Sequence, residues 1–155
     1  MPDKTDANIF VDIRREKLHL DEVFEFIQHD EAGALNVFTG TTRNHHDGKK
    51  VTELFYDCYE EMAKKEMMSI ARKMYDRYAL KKIYFVHRVG LVAVGDASIM
   101  LGISAAHRKE VFKATADTMN ILKERVPIWK RETYEDRSVW KEELLLEKEQ
   151  NIQKN

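Results

Sequence analysis

Pro127 constrains the fold of this chain more than any other residue. It has no N–H to offer a helix, and its ring pushes Val126 out of helical geometry, so a helix arriving from the N-terminal side must end there. Lys123 then stands in the last helical turn. Lys130 and Arg131 follow on an extended segment past the break, on either side of which the chain carries Val126, Ile128 and Trp129. The break can bring two lysines from two different elements to one place. Two neighbouring ammonium groups suit an anionic ligand. They also lower each other's pKa, which is how a lysine becomes a base or a nucleophile.

Hydrophobic periodicity supplies the other elements. Residues 8–14 alternate apolar and polar around Ile9, Val11 and Ile13, which predicts a strand. Residues 21–29 read as a helix with a broad apolar face of Val23, Phe24, Phe26 and Ile27. A strand is predicted over 34–39, stopped by Gly40, then a polar loop over 41–50. The pair Asp47-Gly48 suggests a hairpin-like turn into a strand over 51–59. A long helix rich in Met, Ala, Lys and Glu follows over 60–78, with Met62, Met67, Met68 and Met74 read as its core face. Strands are predicted over 82–89 and 97–104 with Gly95-Asp96 turning between them. A third helix over 107–125 and an extended segment over 128–134 follow. The charged tail from Lys141 reads as a frayed helix. Interspersed strands and helices argue an α/β or α+β sandwich, helices lying on a mixed sheet.

The chain is 155 residues long, enough for a single domain with a real core, here taken as 1–140 with 141–155 as a charged tail. Its net charge of −1 provides no global field for nucleic acid or an anionic membrane, so any anion site must come from local clustering. Cys58 is the single cysteine, which excludes an intrachain disulfide and points to a reducing compartment. No apolar run approaches membrane length and the N-terminus has no apolar leader core, so a soluble cytoplasmic protein is expected. There is no P-loop, no dinucleotide-binding glycine fingerprint and no Gly-x-Ser-x-Gly elbow. Nothing around Cys58 singles it out as a nucleophile, so a sulfur or acyl donor would have to come from elsewhere.

The cations are unevenly placed. Arg43 follows the Thr39-Gly40-Thr41-Thr42 turn at a strand end, and His107-Arg108 opens a helix, where free N–H groups favour an anion. Arg108 and Lys123 lie roughly 22 Å apart along one helix axis. One small ligand cannot touch both, so they serve different sites, or a twofold mate brings one end to a shared site. Met119 lies one turn before Lys123, and Phe38 on the strand leading to Arg43; both can wall a pocket for a flat heterocycle carrying a phosphate.

Plainer readings stand beside these. The helix dipole alone favours Lys123 near a C-terminus. Trp129 reads as a packing anchor, His107-Arg108 as capping surface and His87-Arg88 as structural. His45-His46-Asp47 has metal-ligand residue types, but no second cluster has matching spacing, and it reads as a solvated loop. Glu132 suits a general acid or base, or a carboxylate that orients its neighbouring cation.

Four segments taken together carry a resemblance. They are Phe38-Thr39-Gly40-Thr41-Thr42-Arg43-Asn44, His87-Arg88-Val89-Gly90, Ser104-Ala105-Ala106-His107-Arg108, and Leu122-Lys123 through Val126-Pro127-Ile128-Trp129-Lys130-Arg131-Glu132. In this order and spacing the chain resembles the large, catalytic subunit of molybdopterin synthase, over residues 33–140. The resemblance implies an α/β hammerhead-like fold with an additional antiparallel β subdomain. It implies a homodimer of large subunits, with a small ubiquitin-like subunit docked on each outer end to make a heterotetramer. The small subunit's C-terminal Gly-Gly, carried as a thiocarboxylate, would donate sulfur to cyclic pyranopterin monophosphate and so build the dithiolene of molybdopterin. That makes the chain a sulfurtransferase of molybdenum cofactor biosynthesis, with no cofactor or metal of its own and no nucleic-acid partner.

Residue by residue, the resemblance makes Lys123 and Lys130 catalytic. It assigns Arg43, His107 and Arg108 to the anion pocket, the last two across the dimer. Thr41 and Thr42 flank Arg43, Arg131 and Glu132 complete the Lys130 segment, and Phe38 and Met119 form pocket walls. Leu144 stands where some bacterial members place a further pocket arginine, with Lys141 nearby as a substitute. The alternative function is a noncatalytic module that binds a ubiquitin-like Gly-Gly tail and turns nothing over.

Overall fold

A computed structural model describes residues 6–135 and 141–144. In chain order the elements are β1 (Ile9–Arg14), α1 (Leu20–Ile27), β2 (Ala34–Thr41), β3 (His45–His46), β4 (Lys49–Cys58), α2 (Glu60–Arg77), β5 (Lys82–Arg88), β6 (Gly90–Ala93), β7 (Ala97–Ala105), α3 (Arg108–Arg125), β8 (Ile128–Tyr134) and β9 (Lys141–Leu144). One sheet runs β1-β5-β7-β2, with β1 and β5 parallel and the other neighbours antiparallel. It is the mixed sheet that the interspersed pattern predicts. The second sheet runs β3-β4-β8-β9 with β6 also paired to β4, and all its pairings are antiparallel. This is the additional antiparallel subdomain.

The first sheet is covered on both faces, which is why β5 reads as a nearly unbroken apolar run. Ile83 and Phe85 point into the larger core with Met67, Ile70 and Met74 of α2 and with Val111, Ala114 and Leu122 of α3. Tyr84 and Val86 point the other way, onto Val23 and Ile27 of α1. Each such fully buried aliphatic or aromatic side chain contributes about 1.5–3 kcal/mol. Gly102 of β7 lets α1 approach closely, since a Cβ there would lie 2.4 Å from Val23 Cγ1. Val51, Leu54, Tyr56, Val92 and Ile128 of the second sheet join the larger core, so the two sheets share one interior.

Pro127 acts as the sequence predicts. Helix α3 ends at Arg125, and Val126 is extended at φ −89°, ψ 123°, its N–H donating to the Leu122 carbonyl. The following β8 pairs along β4, from Ile128 opposite Cys58 to Tyr134 opposite Val51. The chain therefore reverses within two residues, and Lys130 comes back alongside the last turns of α3.

Several local expectations change. Gly40 does not stop β2: it pairs with Ile99, and a bulge between Gly40 and Thr41 bends the strand as it leaves the sheet. The expected loop over 41–50 contains β3, paired to β4 across the Asp47-Gly48 turn. Both turn residues have positive φ, 49° and 74°, the backbone of a tight hairpin. Strand β6 was not predicted, because Gly90 to Ala93 is too short to show a period. Met62 is exposed while Met67 and Met74 are buried, so only part of the methionine set is core. Residues 141–144 pair with β8 as a strand and do not form the expected helix; β8 offers its edge there, and pairing satisfies backbone groups a short helix would leave open. Residues 136–140 and 145–155 lie outside the described residues.

Candidate active site

Strand β8 sorts its side chains by alternation. Ile128, Lys130, Glu132 and Tyr134 turn inward, and Ile128, Glu132 and Tyr134 are buried. Trp129 and Arg131 turn outward. Trp129 meets Tyr59 edge to face at 4.6 Å, and the Arg131 guanidinium lies 4.6 Å from the Phe55 ring centroid. These four line a shallow groove of ≈ 350 Å³ on the outer face, to which Lys130 also contributes.

On the inner face, α3, the ends of β2 and β7, and strands β4 and β8 enclose a cleft of ≈ 520 Å³. Five residues singled out from the sequence meet there: Phe38, Thr41, Met119, Lys123 and Lys130. Met119 and Lys123 present one helical face, and Phe38 forms the opposite wall. Asn36 Nδ2 donates to Thr115 Oγ1 at 3.1 Å and ties β2 to α3 across the cleft. The floor holds residues not anticipated as site residues, chiefly Tyr56, His87 and Ser98. Tyr56 and His87 touch edge to face at 5.2 Å, and both are buried. Burial pushes the Tyr56 hydroxyl above its ordinary range and the His87 ring down to about 4, so both are neutral at pH 7. His87 Nδ1 lies 2.8 Å from the Arg88 carbonyl. A carbonyl only accepts, so Nδ1 carries the proton and Nε2 is left as an acceptor. The inward phase of Tyr56 on its strand was the one sequence signal for it.

A smaller polar cavity of ≈ 100 Å³ adjoins the cleft and shares Thr41, Tyr56 and Lys130 with it. Thr42, Arg43, His45, His46 and Glu132 line the remainder, together with Val51 and Leu54. The bulge at the end of β2 turns the chain into this cavity, where Thr42 N–H donates to the Asp96 carbonyl. Thr42 Oγ1 is buried with no hydrogen-bond partner among the described residues. Glu132 is only 5% exposed. Its Oε2 accepts the Tyr134 hydroxyl at 2.5 Å, and its Oε1 lies 3.5 Å from Lys130 Nζ. His46 reaches the same oxygen at 3.9 Å through Nδ1, and its side chain is 15% exposed. Of the expected solvated loop, His45 is exposed and His46 is not: pairing of β3 with β4 turns it inward.

His107 and Arg108 are not in this cleft. They are exposed at the N-terminus of α3, with His107 the residue before the first turn, while Lys123 is in the last turn. The helix is unbroken between them, as the 22 Å separation anticipated. Among the described residues no group of three or more His, Cys, Asp or Glu is placed to hold a metal ion. Cys58 is free, and burial beside Glu60 and Asp57 pushes its thiol up to about 11.

In chemical terms the cleft is an apolar slot with two ammonium groups at one end and a cationic side cavity. It suits a flat ring system bearing an anion. Comparisons with known proteins show the family. A family model described as MoaE protein matches residues 13–125. The chain is 41% identical over 144 residues to the molybdopterin synthase catalytic subunit of Taeniopygia guttata, covering 92% of this chain and 93% of that one. It superimposes on the molybdopterin synthase from Staphylococcus aureus with a TM-score of 0.79 at 32% identity, over 84% of this chain and 95% of that one. It also shares its fold with a chain in the complex of subunits 1 and 2 of the molybdopterin-converting factor from Helicobacter pylori 26695, with a TM-score of 0.69 at 22% identity, over 84% of this chain and 88% of that one.

Proposed function

Because the chain belongs to the MoaE family, we propose that its main cleft is the sulfur-transfer site of a molybdopterin synthase catalytic subunit. The observation that carries the assignment is the meeting of Lys123 and Lys130, from two elements separated by the Pro127 break, at one end of an apolar cleft. The donor is the thiocarboxylate at the Gly-Gly terminus of a small ubiquitin-like subunit, a partner class in keeping with the two-subunit complex of the Helicobacter protein. The acceptor is cyclic pyranopterin monophosphate, and the product is the dithiolene of molybdopterin.

The residues divide the work by charge. Lys123 and Lys130 neutralise the thiocarboxylate and the oxyanion that develops during transfer, an electrostatic role that gains strength in a cleft walled by Phe38 and Met119. One of the two can also carry a proton. Arg43, with Thr41 and Thr42 beside it, takes the phosphate end of the pterin. His107 and Arg108 act from a second copy of the chain, since one α3 cannot present both its ends to one small substrate. Glu132 holds Lys130. Arg131, on the outer face of β8, acts on the groove around Trp129 and not on the pterin. Sulfur comes from the partner, in keeping with the inert thiol of Cys58. The working domain includes β9, residues 141–144, which pairs with β8 in the second sheet. A cytoplasmic location belongs to the same reading and rests on the single cysteine. No helix among the described residues is long and apolar enough to cross a membrane.

A single-turnover assay tests this. The chain is mixed with cyclic pyranopterin monophosphate and a thiocarboxylated small subunit, with Lys123→Ala in parallel. Dithiolene pterin from the wild type and none from the folded variant is the expected result. Tight binding of the small subunit without product from the wild type would make the cleft a noncatalytic tail receptor instead.

A further inference from the structure

His46 lies where the sequence suggests only a solvated turn, yet it is part of the buried charge system of the cleft. Each of its ring nitrogens faces a carboxylate. Nε2 is 3.2 Å from Asp47 Oδ2, and Nδ1 is 3.9 Å from Glu132 Oε1. Glu132 is the interior member of this set, and its two oxygens are used differently. Oε2 is fixed by the Tyr134 hydroxyl, while Oε1 stands between Lys130 and His46.

A buried carboxylate stripped of its cation is costly, so Glu132 resists any movement of Lys130 away from it. Lys130 nevertheless lines both the main cleft and the side cavity, where an anionic substrate would draw its ammonium forward. A second donor on the same oxygen removes that conflict. His46 is the group placed to supply it, on a hairpin whose Asp47-Gly48 turn fixes its direction.

We propose that His46 is a positioning residue for sulfur transfer, taking over Glu132 Oε1 when Lys130 turns to the substrate. It acts through Glu132 and does not touch the pterin. Its role rests on the cleft being the sulfur-transfer site, and the two readings fail separately.

The test is a double-mutant cycle on the assembled enzyme, in the single-turnover assay with the thiocarboxylated small subunit. His46→Phe keeps the volume and removes the ring nitrogens that face the two carboxylates. It should lower the transfer rate about tenfold, with the half-saturating concentration of small subunit unchanged. His46→Asn returns a donor near the position of Nδ1 and should recover most of the loss. Glu132→Gln should lower the rate by itself, and adding His46→Phe to it should change the rate less than twofold further. Asp47→Asn is a check that does not depend on the packing of residue 46. It sits on an exposed turn, releases Nε2, and should give a smaller loss that also vanishes in the Glu132→Gln background. Full activity of His46→Phe, or losses that multiply with Glu132→Gln, would overturn the proposal. So would an Asp47→Asn loss that persists in that background. A wild type with no turnover would instead overturn the sulfur-transfer reading on which it rests.

Discussion

Lys130 Nζ lies 3.5 Å from Glu132 Oε1, two residues along the inward face of β8, and both side chains are largely withdrawn from water, at 14% and 6% exposure. The pair is held inside the protein, unlike Lys123, which is exposed on the last turn of α3. The two lysines of the cleft should therefore answer differently to mutation. Glu132→Ala leaves a buried ammonium and the Tyr134 hydroxyl without their carboxylate, and should cost about 3 kcal/mol. Lys123→Ala should cost less than about 0.5 kcal/mol. Urea midpoints of the two variants measure the contrast. Replacing the pair together, Lys130→Met with Glu132→Leu, should recover most of the lost stability and none of the turnover. Equal stability losses at 123 and 132 would show that the burial of the pair carries no energetic weight.

The elements that place this site were legible where local chemistry is strong. Pro127 ended α3 and started β8, and the alternation of Ile128, Lys130, Glu132 and Tyr134 is visible in the sequence once the strand is assumed. The cleft walls Phe38 and Met119 followed from strand and helix phase. What stayed hidden depended on pairing partners far along the chain. Tyr56 and His87 meet only because β4 and β5 are brought together through the core, and no spacing between positions 56 and 87 encodes that. His46 looked solvated because its own neighbours are polar; the β3–β4 pairing turns it inward, towards Glu132, which is 86 positions away. Strand β9 was misread for a similar reason, since a charged segment with no apolar period shows its strand state only through β8.

Cys58 should be a bystander. Its thiol is half-buried at the end of β4, and burial together with the Glu60 and Asp57 carboxylates pushes it up to about 11. The thiolate fraction near neutral pH is then about a hundredfold below that of an unshifted cysteine, the order set by the shift. Alkylation of the folded chain by iodoacetamide should be correspondingly slow, and denaturant should restore the ordinary rate. Cys58→Ser should retain full sulfur transfer. Loss of turnover in that variant would place the thiol on the path of the sulfur.

The fit of α1 to the first sheet depends on Gly102. A methyl group there would lie 2.4 Å from Val23 Cγ1 and 3.1 Å from Ile27 Cγ2, and neither branched side chain has a free rotamer in a packed interface. Gly102→Ala should therefore push the helix outward at a cost of about 1–3 kcal/mol. Residue 102 faces α1, while the cleft opens towards α3, so turnover per folded molecule should stay unchanged. A thermal melt and an assay at low temperature separate the two effects. An unchanged melting temperature would mean that α1 floats on the sheet.

Acid sensitivity should begin with His87, well above the carboxylate range. The ring is fully enclosed at the floor of the cleft, Nδ1–H is committed to the Arg88 carbonyl, and burial drives its pKa down to about 4. In the unfolded chain the same ring titrates near 6.5. Above about pH 6.5 it is neutral in both states, and its full contribution to stability is present. As the pH falls towards 4, the unfolded state takes up a proton that the native state refuses, and stability is lost. The loss amounts to on the order of 3 kcal/mol across the window, at about 1.4 kcal/mol for each unit of separation. Glu22 enters later: its hydrogen bonds with Arg14 hold its carboxyl below the ordinary range, so its contribution survives until the pH falls through that lowered value. Urea midpoints at about pH 7.5, 6 and 5 should therefore drop steadily in the wild type. In His87→Gln, which retains an amide donor and cannot take a proton, the starting midpoint should be lower and the slope between those pH values nearly flat. A variant that keeps the wild-type slope would assign the acid loss to another group and leave His87 charged in the native cleft.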